Sequence, residues 1–107
     1  MDIGKKYEAL IAEREKLEGD IDYENNPVIR GMVSLLTEDT NATVSFLDKE
    51  CSEAQFVWIS EIFDEIAERT KSKAFIEALR SAARRYQRAS EEYNIEYFID
   101  SAEEYTD

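Results

Sequence analysis

A chain with three glycines and a single proline in 107 residues has few places to turn sharply, and this one also repeats apolar residues at helical spacing from end to end. Together these features predict an all-α domain with short connections. At this length one hydrophobic core can form but not two ordinary ones. The expectation is a single all-α domain over 1–107, a bundle of five to six short helices whose later members could stack as helical hairpins.

Local signals place the helices. The first is expected from Asp2 to about Glu18, with Ile3, Tyr7, Leu10, Ile11 and Leu17 on one face and Gly19 at its stop. After a polar connection, Asn26-Pro27 supplies an N-cap and a proline at the first helical position. The helix it opens carries Val28, Ile29, Met32, Val33, Leu35 and Leu36, apolar all round and therefore central. A third helix carries Val44, Phe46 and Leu47, with Thr43 to Phe46 the least helical stretch. Ser52-Glu53-Ala54-Gln55 is a capping-box pattern, and the fourth helix it opens turns Phe56, Ile59, Ile62, Phe63 and Ile66 inward. Ser72 caps a fifth, with Phe75, Ile76, Leu79, Ala83 and Tyr86 inward. Asn94 caps a sixth, with Ile95, Phe98, Ile99, Ala102 and Tyr105 inward.

Charge is sorted along the second half of the chain. Residues 50–68 hold Glu50, Glu53, Glu61, Asp64, Glu65 and Glu68 and no base. Residues 69–88 invert the sign, with Arg69, Lys71, Lys73, Arg80, Arg84, Arg85 and Arg88 against Glu77, and residues 89–107 are acidic again. The net charge of −12 repels phosphate backbones and anionic membrane surfaces and favours a cationic partner, so neither direct nucleic-acid binding nor membrane binding is expected. Arg80, Arg84 and Arg88, four residues apart, need acids alongside, and pairing with the fourth or sixth helix is the simplest provision.

The chain has no histidine, which removes serine and cysteine triads with a histidine base, histidine metal sites and histidine pH switching. One cysteine, Cys51, can form neither an internal disulfide nor a cysteine zinc site, and reads as a small buried apolar residue in a reducing compartment. With no apolar run near the ~20 residues of a membrane span and no signal-peptide pattern at the start, a cytoplasmic protein without cofactor or metal is expected.

Turning the fourth helix at 100° per residue gathers Glu61, Asp64, Glu65 and Glu68 opposite the apolar face, with Trp58 beside them. The sixth repeats the arrangement, with Glu96, Asp100, Glu103 and Glu104 facing outward around Tyr97. An aromatic ring flanked by carboxylates suits a cationic partner, the ring supplying buried area and the acids supplying steering. The candidate partner-binding residues are therefore Trp58, Glu61, Asp64, Glu65, Glu68, Tyr97, Asp100 and Glu104, with no catalytic residue among them. The competing use of the same carboxylates is catalytic: Glu61, Asp64, Glu65 and Glu68 follow an E-x-x-[DE]-E-x-x-E spacing that resembles the Mg²⁺-binding helix of all-α nucleotide pyrophosphohydrolases. Asp20 to Glu24 begins like a calcium loop, but Asn25 stands where glycine is required and Gly31 where the bidentate glutamate should be.

The runs Trp58-Ile59-Ser60-Glu61-Ile62-Phe63-Asp64-Glu65-Ile66, Ser72-Lys73-Ala74-Phe75-Ile76-Glu77-Ala78-Leu79 and Phe98-Ile99-Asp100-Ser101-Ala102 resemble the small helical immunity proteins of bacterial contact-dependent growth inhibition and related polymorphic toxin systems. The resemblance implies a cytoplasmic inhibitor, a monomer in a 1:1 complex with one cognate toxin domain, commonly a nuclease, whose active site or substrate access it blocks. The charge leads to a compatible expectation, since a compact acidic domain can occupy the basic cleft of a nuclease as an electrostatic decoy. A non-catalytic helical adaptor and a DNA mimic are the other binding classes that the acidity allows.

Overall fold

A computed structural model describes residues 3–106. Among them the α-helices are α1 (Ile3–Glu15), α2 (Pro27–Glu38), α3 (Thr40–Lys49), α4 (Glu53–Ile59), α5 (Phe63–Thr70), α6 (Lys73–Arg85), α7 (Gln87–Glu92) and α8 (Ile95–Glu103), with 3₁₀ turns at Ser60–Ile62 and Glu104–Thr106 and no strand. The all-α class holds, and the weakly helical Thr43 to Phe46 lies inside α3. Asp2, where the first helix was expected to begin, lies outside the described residues.

Three starts are built as their sequences dictate. Asn26 Oδ1 accepts from the Val28 N–H at 2.9 Å with Pro27 at the first position. Ser52 and Gln55 form a reciprocal capping box, and the Ser72 hydroxyl accepts from the Phe75 N–H at 3.0 Å. Asp39, not singled out from the sequence, caps α3 through the Ala42 N–H. Asn94 differs: it sits in the left-handed region at φ 54° with no side-chain cap bond, so it reverses the chain before α8 without capping it.

The helix count exceeds five to six because two expected helices are interrupted. The fourth breaks at Ser60–Ile62, where the Ser60 hydroxyl donates to the Val57 carbonyl at 2.5 Å and the chain tightens into a 3₁₀ turn, leaving α4 and α5. The fifth breaks at Tyr86, which leaves helical geometry at φ −112°, ψ 51° and divides α6 from α7. Its hydroxyl donates to the Cys51 carbonyl at 2.6 Å, and the preceding Arg85 donates to the Leu47 and Asp48 carbonyls at 2.7 and 3.0 Å. The end of α6 thereby satisfies carbonyls at the end of α3 that have no helical partner. α1 stops at Glu15, short of Glu18, as Lys16 and Leu17 bond back three residues to Glu13 and Arg14, and Gly19 takes φ +74° in the loop beyond.

α2 is central as its apolarity requires: Ile29, Met32, Val33 and Leu36 are all fully buried, and it packs on α1, α3 and α5. The most extensive packing joins α5 to α8 and α3 to α6, pairs distant in sequence, and the extents of 30 × 29 × 25 Å are nearly equal. The later helices close around one core and do not extend as a stack of consecutive hairpins. Phe56, Phe63 and Phe75 run through that core at ring separations of 5.7 and 6.4 Å. Cys51 is buried beside it, and burial pushes its thiol up to about 12, so at neutral pH it is an apolar side chain and no nucleophile. α8 buries a narrower stripe than its periodicity predicts: Ile95, Ile99 and Ala102 are inside, whereas Phe98 remains 39% exposed, as does Tyr105 in the 3₁₀ turn beyond it at 37%.

Candidate functional site

The acidic residues of the expected fourth helix do not form one bare stripe, because the turn at Ser60–Ile62 changes their bearing and arginines from the first half of the chain meet them. Arg14, on the inward face of α1 and only 6% exposed, donates Nε and Nη2 to the two oxygens of Glu61 at 2.9 and 2.5 Å. Tyr23 donates its hydroxyl to the same carboxylate at 2.8 Å. The hydrogen bond from Arg14 to Glu61 holds the guanidinium pKa above its ordinary value, and the Arg14 guanidinium lies 4.5 Å from the centre of the Trp58 ring. Arg30 of α2 grips Glu65 by two bonds of 2.5 Å, with Arg69 adding a contact at 3.1 Å, and the bonds from Arg30 hold the Glu65 carboxyl below its usual range.

Asp64 accepts from the Ser101 hydroxyl at 3.1 Å, linking α5 to α8, while Glu68 stays exposed. The four carboxylates are thus drawn to different partners. Among the described residues no group of three or more histidine, cysteine, aspartate or glutamate side chains is placed to hold a metal ion. The spacing that resembles the pyrophosphohydrolase helix does not become a convergent ligand set.

On α8, Asp100 and Glu103 each accept from Arg80 at 3.0 Å, the pairing with the sixth helix expected for the arginine row. Arg84 and Arg88 are exposed and make no ion pair among the described residues, so the expectation is met by Arg80 alone. Glu104 is exposed at the edge of a shallow hollow beside Arg80, and Tyr97 is 62% exposed.

The fold brings together residues that the sequence put on separate helices. A groove of about 720 Å³ runs between α4, α7 and the start of α8, walled by Val57, Trp58, Tyr93 and Phe98. Its rim carries Glu53, Glu61 and Glu92 against the single base Arg88. Phe98 meets its neighbour Tyr97 edge-on at 5.5 Å. Of the aromatic candidates, Trp58 lines the groove and Tyr97 does not. Asp64, Glu65, Glu68, Asp100 and Glu104 do not line the groove.

Sequence reasoning missed Tyr93, Phe98, Glu53 and Glu92. Tyr93 is 51% exposed and lines the groove with Glu53 and Glu92, whose carboxylates, Glu92 before Glu53, raise its phenol pKa. Three aromatics at 93, 97 and 98 around a helix start were the available signal. A strict inward assignment of Phe98 concealed it. Among the described residues no helix is long and apolar enough to cross a membrane. No family model matches the chain, and no curated protein or solved structure matches it at a significant level.

Proposed function

We propose that this chain is a non-catalytic inhibitor of the immunity class, a cytoplasmic monomer that neutralises one cognate toxin domain, a nuclease, by covering its basic cleft in a 1:1 complex. The observation that carries the reading is the groove between α4, α7 and α8, in which half-buried Trp58 and exposed Tyr93 and Phe98 meet an acidic rim on a protein of net charge −12. An exposed aromatic cluster supplies the desolvated anchor of an interface, and the surrounding field draws in a basic partner. The pyrophosphohydrolase alternative has less support, because Glu61 and Glu65 are engaged by arginines.

Co-expression with a toxin domain encoded immediately upstream is the test. Restored growth and 1:1 co-purification are expected. Failure of both, with Mg²⁺-dependent release of pyrophosphate from nucleoside triphosphates by the purified chain, would replace this reading by the enzymatic one. Co-purification with a scaffold component and no toxin would favour the adaptor.

A further inference from the structure

We propose that the groove between α4, α7 and α8 is a receptor for an arginine side chain presented by a basic segment of the partner. The guanidinium would lie against the Trp58 and Phe98 walls, between the carboxylates of Glu53 and Glu92. This rests on the binding reading above and names the chemistry of the contact.

Three observations select that occupant. First, the walls are aromatic and the rim is acidic, and a planar guanidinium is the group that satisfies both, stacking on rings while donating paired hydrogen bonds to carboxylates. An ammonium, compact and strongly hydrated, satisfies the carboxylates and gains less from the rings. Second, the rim acids differ in availability. Glu61 is already neutralised by Arg14, whereas Glu53 and Glu92 form no ion pair among the described residues and line the groove with Tyr93. Third, the protein builds the same recognition internally at the same wall: Arg14 sits over the Trp58 ring while it bonds the carboxylate of Glu61. Arg14 itself does not line the groove.

The charge of −12 argues against a second copy in the groove, since each copy would bring the same acidic rim. Arg88, the one base on the rim, is like-charged to the proposed guest and weakens its binding.

Trp58 is the only tryptophan, so its indole resonance and its fluorescence report on one defined wall of the groove. The probe is a short capped peptide of glycine with two arginines, titrated into the full chain while ¹H–¹⁵N spectra are recorded, with the lysine counterpart in parallel. Saturable shifts of the Trp58 indole and of the Tyr93 and Phe98 amides are expected. The arginine peptide should bind about two- to fivefold more tightly, the worth of one exposed cation–π contact.

Phe98→Ala and the double variant Glu53→Gln, Glu92→Gln should lose the shifts, whereas Arg88→Ala should strengthen them. Circular dichroism checks that each remains folded, and the partial exposure of Phe98 favours that. Shifts spread over the acidic surface and equal for both peptides would overturn the proposal, as would binding unchanged in Phe98→Ala. So would groove resonances that move with protein concentration alone, which would mean that a second copy fills it. Because the probe is a peptide, these failures would leave the toxin-neutralising reading to its own test.

Discussion

Single residues show where the fold spends stability. Tyr7 is fully buried with its ring edge-on to Phe46 at 5.6 Å, yet its hydroxyl has no hydrogen-bond partner among the described residues. Burial raises the phenol pKa well above its ordinary value, so the group stays neutral, but a buried hydroxyl without a partner still carries its full desolvation cost. Tyr7→Phe removes that cost and keeps the ring, and should stabilise the chain by about 1 kcal/mol. Tyr7→Ala removes the ring as well and should destabilise it by about 3–5 kcal/mol through the cavity it leaves. Urea denaturation of the two variants measures both. A loss of stability in Tyr7→Phe would mean that the hydroxyl has a partner, such as a buried water.

Elements were legible in the sequence where their determinants are local, and were hidden where they come from across the fold. The caps at Asn26, Ser52 and Ser72 act within three residues and could be read directly. The break at Tyr86 depends on bonds from Tyr86 and Arg85 to carbonyls more than thirty residues earlier, and no helical period encodes it. Trp58 could be picked out as an aromatic beside acids, but the partner of Glu61 is Arg14, 47 residues away, and that pairing turns a supposed bare interface acid into part of the frame. Glu61→Gln tests the distinction. With Arg14 only 6% exposed, removing its counter-charge leaves a nearly buried guanidinium without an anion. The expected loss of stability is about 2–4 kcal/mol, somewhat below the figure for a fully buried pair because Glu61 keeps some contact with water. Glu53→Gln, at an exposed carboxylate with no ion pair among the described residues, should cost no more than the roughly 0.3–1 kcal/mol of an acid in a helix's first turn. Comparable losses from both would show that Arg14–Glu61 is no more structural than an ordinary surface charge.

The whole molecule carries two electrostatic effects of opposite sign, and pH and salt separate them. Arg30 holds Glu65 below its ordinary 4.5, so this pair contributes stability that is complete above 4.5 and is lost as pH falls through the lower folded-state value. The excess of unpaired acid acts in the opposite direction, since the mutual repulsion of a chain at −12 works against the compact state. Stability should therefore hold from pH 7 down to about 4.5 and fall below it as the Glu65 carboxylate paired with Arg30 protonates. Salt acts without touching protonation. In a body about 30 Å across, most like charges stand farther apart than the Debye length of about 10 Å at 0.1 M, so salt screens their repulsion first. Arg14–Glu61 and Arg30–Glu65 are in direct contact and partly shielded from solvent, and are screened much less. Raising NaCl from about 10 mM to 0.5 M at pH 7 should therefore increase the melting temperature, while association with a basic partner slows over the same range because steering is screened. The two trends must diverge if the excess acidity serves binding at the expense of stability. A melting temperature that falls with salt would show that ion pairs dominate the electrostatics of the fold, and a salt-independent association rate would show that the acidic field does not guide the partner.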